Sequence, residues 1–135
     1  MKVIVDTCVW SIALRHNKNN IQDEKIISDF KKLIDDARVQ MIGFIRQEIL
    51  SGISSLEQFK KLKNHLDYFP DFPVQTKDHE LAAEYFNHCR AKGIQGSHID
   101  YLICAVSTNN KLSILTMDND FKSYAKCIPI LLYEG

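Results

Sequence analysis

Lys2-Val3-Ile4-Val5-Asp6-Thr7-Cys8-Val9-Trp10 decides the fold. Lys2 to Val5 reads as a strand, because Val3-Ile4-Val5 is an unbroken β-branched run. Such a run suits a strand buried on both faces rather than one alternating between core and water. The run stops on an acid, and the apolar positions then change period. Val9, Trp10, Ala13 and Leu14 carry a short helix. The opening unit is therefore strand, acid, helix.

The same alternation continues outward. From Asp23 to Ala37 the apolar positions Ile26, Ile27, Phe30, Leu33, Ile34 and Ala37 draw one helical stripe, with Lys31, Lys32, Asp35 and Asp36 facing water. Val39 to Ile42 is a second strand, followed by a helix around Phe44 to Leu50 that Gly52 ends. Leu56, Phe59, Leu62 and Leu66 mark a further helix before the breaker Pro70-Asp71-Phe72-Pro73, and a weak edge strand fits near Phe72 to Gln75. Leu81, Ala82, Tyr85, Phe86 and Cys89 form the next stripe, closed by Gly93; Ile99, Leu102, Ile103 and Val106 form another after Ser97. Ser113 to Thr116 is a strand, Phe121 to Ala125 a short helix and Ile128 to Tyr133 a last strand. This order predicts a three-layer α/β/α domain over residues 1–135, with a central, mostly parallel sheet of about five strands. Sheets of this kind gather ligands at the carboxyl ends of their strands, so a site should follow strands.

Composition excludes several classes. The 135 residues are 45% hydrophobic and 25% charged, ordinary for a globular chain and unlike disorder. The longest apolar stretches, such as Ile128 to Tyr133, fall far below the roughly 20 residues of a membrane span. The short apolar start turning acidic at Asp6 is a strand, not an export signal. Cys8, Cys89, Cys104 and Cys127 make no Cys-x-x-Cys pair, so reduced thiols in a cytoplasmic protein are expected. Lys plus Arg and Asp plus Glu both number 17. That balance opposes an indiscriminate, strongly cationic nucleic-acid binder.

The acids sit where the topology wants them. Asp6 closes the first strand; its bland role is an N-cap. Asp118 and Asp120 follow the strand Ser113 to Thr116, where an Asx turn and a cap account for one acid more easily than for two. Asp100 lies three residues after Ser97, as in a capping box, although Asp is one methylene shorter than the usual Glu or Gln. Glu48 stands in the helix after the second strand, where a lone Glu is ordinarily solvated. Together, four segments deliver acid to one edge of one sheet. Gathered carboxylates repel unless a cation neutralises them, and oxygen-only ligands select Mg²⁺ or Mn²⁺ over zinc. A phosphodiester is the natural substrate of such a site.

In their order, Val5-Asp6-Thr7-Cys8-Val9-Trp10, Glu48-Ile49-Leu50-Ser51-Gly52, Ile99-Asp100-Tyr101-Leu102-Ile103 with Ala105, and Leu115-Thr116-x-Asp118-x-Asp120-Phe121 resemble the PIN-domain ribonucleases. Within these, the pattern and length are similar to the VapC-type toxins of toxin–antitoxin pairs. The resemblance implies metal-site carboxylates at Asp6, Glu48, Asp100 and Asp118, a supporting acid at Asp120, and polar support from Thr7 and Thr116. It implies one or two Mg²⁺ ions, roughly 4 Å apart if paired. Water then attacks phosphorus in line, leaving a 5′-phosphate and a 3′-hydroxyl. Glu48 would bind a second ion or orient the water. A homodimer, an RNA substrate and a VapB-like antitoxin whose carboxy-terminal segment fills the groove are implied as well. Ile42-Gly43-Phe44-Ile45, ahead of Glu48, lacks the small polar residue that many relatives carry there.

Other features carry less. His16, His65, His79, His88 and His98 show no zinc-like pairing with one another or with cysteine, and His98 has only its nearness to Asp100 to suggest phosphate contact. Lys60, Lys61 and Lys63 read as a solvated helix face, with RNA-backbone contact as the functional alternative. Trp10 and Tyr101 read as core or dimer-interface residues rather than stacking platforms for bases. A Mg²⁺-dependent phosphatase of the haloacid-dehalogenase kind would want an acid two residues after Asp6, where Cys8 stands. A receiver domain would want an acidic pair before that Asp and a late Lys. An inactive PIN-like binding module has no reason to keep every acid. Setting aside Asp6, Glu48, Asp100, Asp118 and Asp120 leaves 17 basic residues against 12 acidic ones, a surface compatible with a polyanion.

Overall fold

A computed structural model describes residues 1–15 and 21–135, apart from the side chain of Gln22. His16 lies outside the described residues. The chain runs β1 (Val3–Val5), α1 (Thr7–Leu14), α2 (Ile21–Asp35), β2 (Val39–Gln40), α3 (Gly43–Ser51), α4 (Leu56–Leu66), α5 (Thr76–Ala91), α6 (His98–Asn109), β3 (Ser113–Leu115) and α7 (Asp120–Ala125). The three strands form a parallel sheet in the order β2-β1-β3, flanked by helices, so the α/β architecture is as the sequence predicts. β1 is central, and all three of its residues are wholly buried. Complete burial of each such side chain is worth about 1.5–3 kcal/mol, which is why an unbroken β-branched run belongs here.

The sheet is narrower in regular strands than expected. Its fourth and fifth members are single parallel bridges, Asp71 beside Met41 and Leu132 beside Ile114. Proline explains both. Pro70 and Pro73 flank the first and have no N–H to give; Phe72 N–H alone reaches Met41 O, at 2.8 Å. Pro129 interrupts the second, and Ile130 N–H turns back to Ile128 O, so pairing is confined to Leu131–Tyr133 around Ile114. β2 is shorter than Val39 to Ile42 because Ile42 becomes the N-cap of α3.

Helix ends follow local chemistry. α2 stops at Asp35, before the predicted Ala37, because Ala37 takes a left-handed φ of 55° and Arg38 N–H bonds back to Leu33 O. Beyond α5, Gly93 adopts φ 79°, a conformation glycine takes without strain, and Ile94 N–H returns to Cys89 O. α6 corrects the single-stripe expectation: every residue from Tyr101 to Ser107 is buried, so this helix is enclosed on all sides. Trp10 and Tyr101 are core residues. Trp10 meets Phe30 and Phe69 edge-on and donates its indole N–H to Val5 O at 3.2 Å. All four cysteines are free thiols. Among the described residues no helix is long and apolar enough to cross a membrane.

Candidate active site

β1 and β3 end side by side, and Asp6 N–H donates to Leu115 O at 2.9 Å across the gap. A chain of polar contacts starts there. Asp6 Oδ1 accepts the Thr7 N–H at 2.8 Å, which is the N-cap role open to it. Its other oxygen, Oδ2, accepts the Thr116 hydroxyl at 2.8 Å. Thr116 Oγ1 in turn accepts the Asp118 N–H at 3.0 Å, and Asp118 Oδ1 accepts the Asp120 N–H at 2.9 Å. Asp118 thus closes an Asx turn whose geometry delivers Asp120 next to it. Asp6 is both a cap and a member of the site.

A further acid arrives from the first turn of α6, which follows α5 and no strand, so the expectation that site residues follow strands does not hold for Asp100. Ser97 Oγ accepts the Asp100 N–H at 3.0 Å, the N-cap half of a capping box. The carboxylate does not complete the box. Instead Asp100 Oδ2 accepts the Tyr124 hydroxyl at 2.7 Å. Oxygens of Asp100, Asp118 and Asp120 lie within 4.8 Å of one another, the one such group of three potential ligands among the described residues. Asp120, expected as a supporting acid, is therefore part of the tightest group, whereas Asp6 and Glu48 stand outside it. Burial raises the Asp100 carboxyl, and the charges of Asp6 and Asp118 push it further up; the hydrogen bonds from Tyr124 and Ser97 oppose them. None of these acids joins an ion pair among the described residues; the pairs there are Lys25–Asp29, Arg46–Asp71 and Lys63–Asp67.

Glu48 is exposed on α3, and its Oε1 accepts the Thr7 hydroxyl at 2.9 Å. Thr7 therefore supplies the polar support that Ile42-Gly43-Phe44-Ile45 lacks, and ties Glu48 to the end of β1. Two further residues belong to the site. The Cys8 thiol contacts Asp6 Oδ2 and Thr116 Oγ1, each at 3.6 Å, and its sulfur accepts the Met117 N–H at 3.4 Å. Burial and the Asp6 charge raise its pKa, so it is a neutral thiol where a phosphatase would need an acid. Its position two residues beyond a strand-end acid was the available signal. Tyr124 is wholly buried on α7, and a buried tyrosine hydroxyl needs a partner, but nothing local indicates that the partner is Asp100.

One cleft includes a site acid and a second lies against the start of α6. The first, of about 540 Å³, is lined by Thr116, Asp118, Asn119, Lys122 and Tyr133. The second, of about 380 Å³, is lined by Phe44, Phe86, His98 and Ile99, just before Asp100. His98 stacks on Phe86 with ring centroids 4.6 Å apart. Lys60, Lys61 and Lys63 are exposed on α4, as a solvated face requires.

The model of the PIN domain matches residues 3–126. The chain belongs to the PIN-domain family. Family membership places it among nuclease domains. No curated protein matches it closely in sequence. Solved structures with the same fold include FitAcB from Neisseria gonorrhoeae, 18% identical, with a TM-score of 0.78 over 98% of this chain and 96% of that one. VapBC2 from Rickettsia felis, bound to a DNA fragment from its promoter, is 15% identical, with a TM-score of 0.77 over 98% of each chain. DNA-bound VapBC from Salmonella typhimurium is 16% identical, with a TM-score of 0.71 over 98% of this chain and 97% of that one. This PIN domain thus shares its fold with chains of FitAcB and VapBC.

Proposed function

We propose that residues 1–135 form a single PIN domain acting as a Mg²⁺- or Mn²⁺-dependent endoribonuclease, the toxin of a VapBC-like pair. The observation that carries this reading is the group Asp100, Asp118 and Asp120, with oxygens within 4.8 Å and no cation paired to them among the described residues. Three carboxylates this close repel one another, and an oxygen-only donor set fits a hard divalent ion. Asp100, Asp118 and Asp120, with Asp6 beside them, would hold one or two ions. A bound ion of this kind lowers the pKa of water and neutralises charge developing on a phosphodiester.

The protein's own groups do the positioning. Thr116 holds Asp6 through its hydroxyl proton and Asp118 through its oxygen, so both acids share one anchor. Thr7 fixes Glu48 at Oε1, leaving Oε2 to orient the attacking water. Lys122, in the cleft that contains Asp118, gives the RNA backbone a cation close to the acids. The likeness to chains of VapBC and FitAcB supports an antitoxin partner. Its carboxy-terminal segment would occupy the groove, and the working form would be a cytoplasmic homodimer.

The test is cleavage of single-stranded RNA by purified protein. Mg²⁺ or Mn²⁺ should support it, and EDTA or Asp6→Asn should abolish it. Full activity in EDTA overturns the metal mechanism. Expression without the antitoxin should arrest growth, and Asp100→Ala should relieve the arrest.

A further inference from the structure

Tyr124 has no exposed surface, and its ring is boxed in by aromatic neighbours. Tyr101 lies 4.9 Å away between centroids and Phe121 5.2 Å. The hydroxyl emerges from this box at one place, 2.7 Å from Asp100 Oδ2. Gly96 closes the other side. A Cβ there would lie 2.5 Å from the Tyr124 hydroxyl oxygen and 2.8 Å from Cζ, so the position admits only glycine without displacing the ring. Ser97, the next residue, meanwhile holds the Asp100 backbone N–H. Asp100 is thus gripped at its main chain by the Gly96-Ser97 turn and at one carboxylate oxygen by α7.

We propose that Tyr124, seated by Gly96, is a positioning residue that orients the Asp100 carboxylate for divalent-metal ligation. The inference rests on the metal-dependent reading above. Oδ2 is already committed to the Tyr124 hydroxyl, so the contact favours ligation through Oδ1. A carboxylate on a helix otherwise samples several rotamers, and a fixed outer partner removes that freedom before the ion arrives. Outer partners of this kind typically contribute 10- to 100-fold in metal affinity. α7 begins at Asp120, two residues after Asp118, so the same short segment that carries two acids would orient a third.

The experiment titrates metal-free protein with Mn²⁺ alone, reading free Mn²⁺ by electron paramagnetic resonance, for wild type, Tyr124→Phe and Gly96→Ala. Tyr124→Phe removes one oxygen and keeps the ring, so its metal-free melting curve checks folding. The expected result is a Mn²⁺ dissociation constant raised about tenfold or more in Tyr124→Phe. Gly96→Ala should shift in the same direction, and the KM for RNA at saturating Mn²⁺ should stay within about twofold of wild type. Wild-type binding with an unchanged constant in Tyr124→Phe overturns this role and leaves the nuclease reading intact. No saturable Mn²⁺ binding by wild type overturns both.

Discussion

Two aspartates occupy the same helical position and do opposite things. Asp78 and Asp100 each stand three residues after an N-cap, Gln75 on α5 and Ser97 on α6. Asp78 is wholly buried, yet both its oxygens are used by the protein: Oδ2 accepts the Gln75 N–H at 2.9 Å and Oδ1 the Asn109 amide at 2.8 Å. It completes a cap and ties α5 to α6. Asp100 is only partly buried, spends one oxygen on Tyr124 and sits among other carboxylates. A buried acid with a donor on each oxygen is structural; a less buried acid facing its own kind is, on the proposed reading, prepared for a cation. Burial alone would have ranked them the wrong way round.

Exchanging the two in function is the way to break this comparison. Asp100→Asn should lower RNA cleavage by at least about a hundredfold, since loss of a ligand exceeds the 10–100-fold cost of losing an outer partner. Asp78→Asn, assayed on folded protein, should leave the rate within about twofold. Equal losses in steady-state kinetics would erase the distinction.

Stability should divide the other way. Asp78→Ala strands two donors at a buried site and should cost about 3 kcal/mol in denaturant unfolding. At a hundredfold excess over its dissociation constant, Mg²⁺ should stabilise wild type by about 2.7 kcal/mol. The Asp78 variant should keep that increment and Asp100→Asn should lose most of it.

The smallest effect is a pH dependence. The Asp100 carboxyl titrates above its unfolded value, so the folded metal-free protein holds its proton more tightly. Its ionisation then favours the unfolded chain: the stability is present below the usual carboxylate range and is lost as pH rises through the shifted value. Asp100→Asn, which keeps an acceptor for Tyr124, should therefore raise the metal-free melting temperature slightly at neutral pH. That gain should vanish at low pH.

The same pair shows what the sequence could convey. The α/β fold was legible because Val3-Ile4-Val5 and Ser113-Ile114-Leu115 are unbroken runs and the helices between them have clear apolar periods. Asp6, Asp118 and Asp120 were legible because each follows such a run, and a strand's end is a local feature. Asp100 follows no strand and was legible only through its place after Ser97 and the ordered resemblance; the shortness of Asp as a box partner was a poor reason to favour it, since Asp78 makes that bond without difficulty. Its distinguishing contact, with Tyr124, crosses 24 residues and depends on how α7 packs. Sheet edges were overestimated for a similar reason. Pro70, Pro73 and Pro129 mark where pairing fails, but how far it survives between them depends on the neighbouring strand.

The central claim is that acids gathered beyond β1 and β3 form a divalent-metal site for RNA hydrolysis. Calorimetric titration of Mn²⁺ into metal-free wild type and an Asp100→Asn/Asp118→Asn double variant tests it most directly. Saturable binding by wild type, with one or two ions per chain and none in the double variant, is the predicted result. Undiminished binding by the double variant, or none by wild type, would contradict it.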